Sequence, residues 1–147
     1  SLTTLANDVL RTLDPAIKSK SLQVDCMSEG TAHAKADPGM MTVVIRNIIS
    51  NAVKFTPKGG EIKLALQENG TAIRLGIQDS GIGMSEETRQ TLLKGQHADS
   101  RRGTSNESGT GLGLMFRNDL LEANQGSLEI ESEEGQGSRF IISVPKA

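Results

Sequence analysis

The chain is poor in aromatic residues and carries little net charge. Three of its 147 residues are Phe and none is Trp or Tyr, so it lacks the stacking platforms that single-stranded nucleic acids bind. Its formal charge of −2 provides no basic field for a phosphate backbone. No apolar run approaches the ~18 residues of a membrane-spanning helix, and we find no signal-peptide pattern. We therefore expect neither a nucleic-acid partner nor a membrane span in this sequence.

Cysteine is equally scarce. The single cysteine, Cys26, cannot form an internal disulfide, and its short alternating segment LQVDCM predicts a half-buried strand residue rather than a reactive thiol. One cysteine fits a reducing compartment, so we expect a cytoplasmic domain. Because the chain begins with Ser1 rather than Met, we expect a fragment of a larger protein, whose membrane anchoring stays open.

Hydrophobic spacing predicts alternating helices and strands. We expect an amphipathic first helix over residues 2–13, ended by Pro15. Asp37 and Pro38 provide an N-cap and a first-turn proline for a second helix, which runs to about Phe55. The further elements are strands over residues 22–26, 61–67, 73–77, 127–132 and 138–144, and helices after Ser85 and over 112–123.

This order predicts an α/β (α+β) two-layer sandwich. The sheet is expected to be mixed and mostly antiparallel, with about five strands, and covered on one face by about three helices. Residues 94–110 are polar and contain glycine, so we expect a mobile loop there. One domain accounts for residues 1–147.

The second helix carries an unusual polar face. Asn47, Asn51 and Lys54 are spaced i, i+4 and i+7, which places them on one side, opposite an apolar side rich in isoleucine. A carboxamide oxygen is a neutral ligand suited to Mg²⁺, and a lysine suits the phosphates that Mg²⁺ accompanies. The helix therefore predicts a metal and phosphate site.

An acidic residue followed by glycines ends the third predicted strand. Asp79 precedes Gly81 and Gly83, where the chain turns tightly and approaches a ligand closely. A carboxylate there accepts a hydrogen bond from the adenine amino group, whereas guanine presents a carbonyl oxygen, so the site selects ATP over GTP. Met84 is expected to line the pocket for the base.

A second glycine-rich segment, GTGLGL, occupies residues 109–114 and leads into a helix. Backbone N–H groups at a helix N-terminus bind phosphates, and glycine permits their close approach. The spacing fits neither the dinucleotide fingerprint nor the P-loop. Arg101 and Arg102 in the preceding loop are candidates to bind the β- or γ-phosphate, and the sequence does not choose between them.

These three segments resemble the N, G1 and G2 boxes of the histidine kinase ATPase domain, in the family shared with gyrase B, MutL and the heat-shock chaperone. NIISNAVKFTPKGG, residues 47–60, and the ending GSLEIESEEGQGSRFIISVP, residues 126–145, are similar to two-component sensor kinases. The resemblance spans residues 2–145. It implies the Bergerat ATP-binding fold, ATP and Mg²⁺ as ligands, and the catalytic domain of a sensor kinase that transfers the γ-phosphate of ATP to histidine.

The resemblance also implies roles for single residues. Asn51 would ligate Mg²⁺ with Asn47 assisting, and Lys54 would contact phosphate; these three form the expected catalytic set. Asp79 would bind adenine with Ser138 nearby. The residues expected to bind the nucleotide are Asn47, Asn51, Lys54, Phe55, Asp79, Gly81, Gly83, Met84, Arg101, Arg102, Gly109, Thr110, Gly111, Leu112, Gly113 and Ser138.

One position favours phosphoryl transfer over hydrolysis. ATP-hydrolysing relatives carry Glu one helical turn before the metal-binding Asn, whereas this chain has Asn47 there. An amide is no general base, so slow hydrolysis is expected. Transfer to an imidazole depends chiefly on positioning, which this site can still supply.

The acceptor histidine is expected outside this chain. His33 and His97 lack the setting of a family acceptor helix and are interpreted as surface residues. The expected partner is the acceptor and dimerisation domain of the parent kinase and, indirectly, a response regulator. The fragment itself is expected to be monomeric.

Two departures from the family pattern leave alternatives open. Leu92 and Leu93 stand where many relatives have a phenylalanine-rich box, and Ser108 stands where Lys or Arg often precedes the G2 box. A degenerate nucleotide-binding module that acts by protein contact is one alternative. An anti-sigma-factor-type serine kinase is another, although such kinases usually carry Glu at the position of Asn47. An ATP-driven clamp fits poorly because that Glu is absent.

Overall fold

The computed structural model describes residues 1–28, 32–94 and 118–147, which contain four helices and five strands. The helices are α1 (Leu2–Ser19), α2 (Pro38–Phe55), α3 (Glu86–Leu93) and α4 (Asn118–Ala123). The strands are β1 (Gln23–Ser28), β2 (Glu61–Asn69), β3 (Ala72–Asp79), β4 (Ser127–Glu133) and β5 (Gly137–Pro145). Within these ranges no helix combines the length and apolarity that a membrane span requires.

The strands form one five-stranded sheet in the order β1-β2-β3-β5-β4. β1 pairs with β2 in parallel, and the other three pairings are antiparallel. The sheet is therefore mixed and mostly antiparallel, which is the character that the sequence predicts. Alternate residues such as Ile62, Leu75 and Ile142 are fully buried on the face that the helices cover. The two-layer α/β sandwich is therefore confirmed, with four helices in the described part rather than about three.

Helix α2 begins and ends where its sequence signals predict. The Asp37 side chain accepts a hydrogen bond from the Met40 backbone N–H at 2.8 Å, and Pro38 occupies the first turn. Ile45, Ile48 and Ile49 are fully buried against the sheet and α1. Local capping and burial thus favour the same element, which runs through the middle of the core.

Helix α1 is longer than predicted, because Pro15 lies inside it rather than ending it. Proline removes one N–H donor, whose partner would be the carbonyl of Arg11, an exposed residue that water can hydrate. Ile17, 8% exposed, anchors the final turn in the core. Burial of that residue outweighs the local preference of proline for ending a helix.

Cys26 lies in a strand, as predicted, but it is not half-buried, so that part of the prediction is wrong. Cys26 lies in β1, but its side chain is exposed. β1 is an edge strand, and Val24 alone among its residues is partly buried. Alternation in a short edge strand therefore does not indicate a buried face here.

Candidate functional site

The polar face of α2 is partly buried, and the amide nitrogen of Asn51 has no hydrogen-bond partner among the residues that the structure describes. Asn51 is 5% exposed, and its Nδ2 atom makes no hydrogen bond within the described residues. Asn47, one turn earlier, is half-buried. A buried amide without a partner costs about 1–3 kcal/mol, so Asn51 is the residue of this helix most suited to a ligand.

The last turn of α2 brings a cation against an aromatic ring. Lys54 Nζ lies 5.2 Å from the centroid of the Phe55 ring, within the range of a cation–π contact. Phe55 itself is 7% exposed, whereas Lys54 is half-buried. The charged end of Lys54 is thereby held close to the end of the helix.

Asp79 ends β3 as a buried carboxylate. Its side chain is 7% exposed, and its Oδ1 accepts a hydrogen bond from the Gly81 backbone N–H at 2.8 Å. Burial raises the pKa of Asp79 to about 6, and backbone N–H groups of Gly81 and Ser138 oppose that rise. A desolvated acceptor of this kind has a strong preference for a ligand that donates a hydrogen bond.

The turn after Asp79 requires glycine for a reason that the sequence does not reveal. A Cβ at Gly81 would lie 2.5 Å from the Phe55 carbonyl oxygen, and one at Gly83 would lie 2.0 Å from the Glu133 carbonyl oxygen. Gly83 also has a φ of +67°. The sequence predicts that these glycines approach a ligand closely. Within the described residues they instead approach protein backbone, so the turn packs against both α2 and the β4–β5 hairpin.

A small hydroxyl network supports the same turn. Ser132 Oγ accepts from the Met84 backbone N–H at 2.9 Å and donates to the Gly137 carbonyl at 3.0 Å. Ser138, which pairs with Asp79 in the β3–β5 register, places its Oγ 2.8 Å from Ser132 Oγ. The structure therefore links Met84 to Ser138 through Ser132 and places Ser138 opposite Asp79, while the roles of these residues toward a nucleotide stay predictions.

Three residues that support the site were not predicted from the sequence: Ser132, Gly137 and Lys20. Ser132 lies on the same face of β4 as the buried Ile130, so the alternating pattern indicates that its side chain faces the core. No neighbouring residue in the sequence indicates its hydrogen bonds to Met84 and Gly137. Gly137, with a φ of +87°, packs where a Cβ would lie 2.1 Å from the Asp79 carbonyl oxygen. Lys20 looks like a surface lysine in the sequence, yet it is 5% exposed and hydrogen-bonded to the end of α2.

Of the positions that depart from the family pattern, the structure describes Leu92 and Leu93 but not Ser108. Leu92 is fully buried in the core, and Leu93 packs against it. His33 is exposed, as expected of a surface residue. The remaining candidates lie outside the described residues: His97, Arg101, Arg102, Ser108, Gly109, Thr110, Gly111, Leu112 and Gly113.

Comparison with known proteins shows the family to which the chain belongs. Residues 36–147 match the family described as histidine kinase-, DNA gyrase B-, and HSP90-like ATPase. The sensor protein EvgS of Escherichia coli K12 is 34% identical over 149 residues, covering 97% of this chain and 12% of EvgS. The circadian input-output histidine kinase CikA of Synechococcus elongatus is 35% identical over 152 residues, covering 99% of this chain and 20% of CikA. The chain thus spans a small part of both relatives.

Solved structures share the fold across the whole chain. The nucleotide-free catalytic domain of histidine kinase ThkA has a TM-score of 0.81 at 22% identity, covering 99% of this chain and 94% of that one. Full-length ShkA in complex with AMPPNP has a TM-score of 0.80 at 25% identity, covering 100% of this chain and 30% of that one. The chain therefore belongs to the histidine kinase-, DNA gyrase B- and HSP90-like ATPase family, as a catalytic ATPase domain of the sensor histidine kinase class.

Proposed function

We propose that this chain binds ATP with Mg²⁺ and transfers the γ-phosphate to a histidine on a separate acceptor and dimerisation domain of a larger sensor kinase. The observation that carries the proposal is the buried carboxylate of Asp79, held 2.8 Å from the Gly81 N–H beside the end of α2. The turn that Asp79 begins is hydrogen-bonded to the end of α2, the helix that carries the two amides and the lysine suited to phosphates.

Asp79 supplies the selectivity for adenine. One of its oxygens is engaged by the turn, and the carboxylate as a whole is an acceptor for the adenine amino group. Guanine would present a carbonyl oxygen, leaving two acceptors face to face. Ser138, which lies opposite Asp79, and Met84, which is linked to Ser138 through Ser132, complete the binding region for the base in this proposal.

The residues of α2 fit a magnesium ion. Asn51 offers a largely buried carboxamide, whose oxygen suits Mg²⁺. Asn47 assists from one turn earlier, and Lys54 binds phosphate. When bound, Mg²⁺ neutralises charge on the phosphates.

Transfer rather than hydrolysis follows from the absence of a base on α2. Asn47 occupies the position where hydrolysing relatives carry Glu, and its amide does not take a proton from water. The site therefore holds ATP in place until an imidazole attacks in line. Arg101 or Arg102 and the glycine segment of residues 109–113 bind the phosphates in this proposal.

The acceptor domain and the response regulator are the partners of this proposal. The curated relatives EvgS and CikA are several times longer than this chain, which leaves ample length for an acceptor domain in such proteins. ThkA has been crystallised with the response regulator TrrA. We infer a cytoplasmic site of action, where ATP is available.

The nucleotide part of the proposal is tested by calorimetric titration of ATP, ADP and GTP, with and without Mg²⁺. Adenine-selective binding should weaken in Asp79→Asn, and its metal dependence should be lost in Asn51→Ala. Absence of binding at millimolar ATP would contradict the proposal and favour the degenerate module that acts by protein contact.

The transfer step needs a second experiment. The chain is incubated with γ-labelled ATP and the acceptor domain of the parent kinase, and the labelled product is treated with acid or base. Phosphohistidine is labile in acid and stable in base, whereas phosphoserine is stable in acid. An acid-stable product would instead support the serine kinase.

A further inference from the structure

The end of α2 has an unusually complete set of hydrogen bonds. The last four carbonyls of a helix have no partner within it. Here the Ala52 carbonyl accepts from the Thr56 N–H at 3.1 Å, and the Phe55 carbonyl accepts from the Ile82 N–H at 3.2 Å. The two carbonyls between them are both bound by one side chain, the ammonium of Lys20.

Lys20 reaches these carbonyls from the end of α1. Its Nζ donates to the Val53 carbonyl at 2.8 Å and to the Lys54 carbonyl at 3.1 Å. Its own carbonyl accepts from the Gly59 N–H at 2.8 Å, in the turn that follows α2. Lys20 therefore holds the end of α2 through its side chain and the following turn through its backbone.

The position is suited to a cation. A helix C-terminus carries a partial negative charge, so an ammonium there is stabilised by the aligned carbonyls. At 5% exposure, Lys20 gives up most of its hydration, and such burial is tolerated where carbonyl dipoles replace the water. Lysine is seldom buried for packing alone.

The turn that Lys20 holds is the turn that presents the nucleotide-binding groups. Lys54 extends from it over the Phe55 ring. The Phe55 carbonyl then binds Ile82 in the glycine turn that Asp79 begins. A shift of this single turn would move the phosphate-side cation and the base-side turn together.

We propose that Lys20 is a positioning residue for the nucleotide: by binding the Val53 and Lys54 carbonyls it fixes the last turn of α2, and through that turn it aligns Lys54 with the glycine turn after Asp79. This inference rests on the proposed function. A lysine that only stabilised the fold would leave nucleotide affinity unchanged in the folded protein.

The test compares ATP–Mg²⁺ affinity in wild type, Lys20→Met and Lys20→Gln, at a temperature where circular dichroism shows each variant folded. Met keeps the length of the side chain without its donors, and Gln keeps a neutral donor. We expect affinity to fall by about 10- to 100-fold in Lys20→Met, the range found for residues that orient metal ligands, and by less in Lys20→Gln. Asp37→Ala is the matched control, since it weakens α2 at its opposite end and should leave affinity unchanged.

A double-mutant cycle with Lys54→Met separates positioning from general stability. If Lys20 acts through Lys54, its replacement costs much less affinity once Lys54 is already Met. In the nucleotide-free protein, amide exchange at Ile82 should also accelerate in Lys20→Met.

The possible failures are distinguishable. Wild type that binds no ATP overturns the proposed function and this inference with it. Wild type that binds ATP, together with a folded Lys20→Met of equal affinity, overturns the positioning role alone. Equal loss in Lys20→Met and Asp37→Ala would likewise assign Lys20 to stability. If Lys20→Met does not fold, unchanged affinity in folded Lys20→Gln overturns the role.

Discussion

Asp79 lies directly opposite Ser138 in the antiparallel register of β3 and β5, and both side chains are buried on the face that the helices cover. The Ser138 backbone N–H is among the groups that stabilise the ionised carboxylate, but burial outweighs it. The pairing therefore keeps an acid at the edge of the core at a cost in folding free energy, which is typical of a residue retained for binding.

The first prediction concerns the stability of Asp79→Asn without nucleotide. The pKa of Asp79 rises from 3.8 to about 6 on folding, so ionisation disfavours the native state and wild type loses stability as the pH rises between these values. The loss reaches up to ~3 kcal/mol above pH 7. Asp79→Asn should thus be more stable than wild type at pH 7.5 while binding ATP more weakly.

Urea unfolding at pH 7.5 and pH 4 checks this prediction. The measurement at pH 4 is the control, since the wild-type carboxyl is then mostly protonated in the native state. The stability that Asp79→Asn gains over wild type should therefore be smaller at pH 4 than at pH 7.5. A gain of equal size at both pH values would show that ionisation of Asp79 does not cost stability.

The second prediction concerns the pH dependence of base binding. The proposed function requires adenosine to bind the ionised form of Asp79, of which about one tenth remains one pH unit below a pKa of about 6. Apparent affinity for adenosine should therefore be about tenfold weaker at pH 5 than at pH 7.5. Adenosine is the probe because it has no phosphate that titrates in this range.

Fluorescence competition or calorimetry at both pH values measures the effect. Asp79→Asn is the control, and its weak binding should vary little with pH. A wild-type affinity that stays constant from pH 5 to pH 7.5 would exclude Asp79 as the group that recognises the base in its ionised form.

The third prediction compares two glycines with similar backbones. Gly83 has a φ of +67° and Gly135 a φ of +78°, so alanine is strained at both. At Gly83 the new Cβ would also lie 2.0 Å from the Glu133 carbonyl oxygen, whereas at Gly135 nothing lies within 4 Å. We expect Gly135→Ala to cost about 1 kcal/mol, and Gly83→Ala clearly more.

Urea unfolding measures both costs, and their difference isolates the clash from the backbone strain. The Gly83 variant should also bind ATP more weakly, because the turn after Asp79 must move. Equal losses of stability in the two variants would mean that the β4–β5 hairpin shifts to accommodate the new Cβ at Gly83 without a measurable cost.

The extent to which the sequence predicts this fold depends on how local each signal is. Helix α2 is predicted because its cap, its first-turn proline and its isoleucine face lie within one short segment. The extension of α1 past Pro15 depends on the burial of Ile17, which only the assembled core decides. Burial overrides a local rule there.

In the candidate site, too, local signals are predictable from the sequence and long-range contacts are not. Asp79 and Asn51 are recognisable because their chemistry appears in short motifs. The contacts that hold them are distant in sequence: Lys20 binds a carbonyl 33 residues away, and Ser132 binds an N–H 48 residues away. No local pattern encodes such pairs, so the supporting residues emerge only from the structure.

The last prediction concerns Ser132. Its Oγ is the acceptor for the Met84 backbone N–H at 2.9 Å, so Ser132→Ala leaves that donor partly buried without this partner. The expected loss of stability is about 1–3 kcal/mol. Ser127→Ala in the same strand is the matched control, since Ser127 is exposed and should change stability by less than ~0.5 kcal/mol.

Chemical denaturation of both variants measures the difference, and amide exchange at Met84 locates it. Ser132→Ala should speed exchange at Met84 and, if the proposed function is correct, weaken ADP binding, because Met84 belongs to the region proposed to bind the base. If the two variants are equally stable and Met84 exchanges as in wild type, then Ser132 is not the partner that holds this turn.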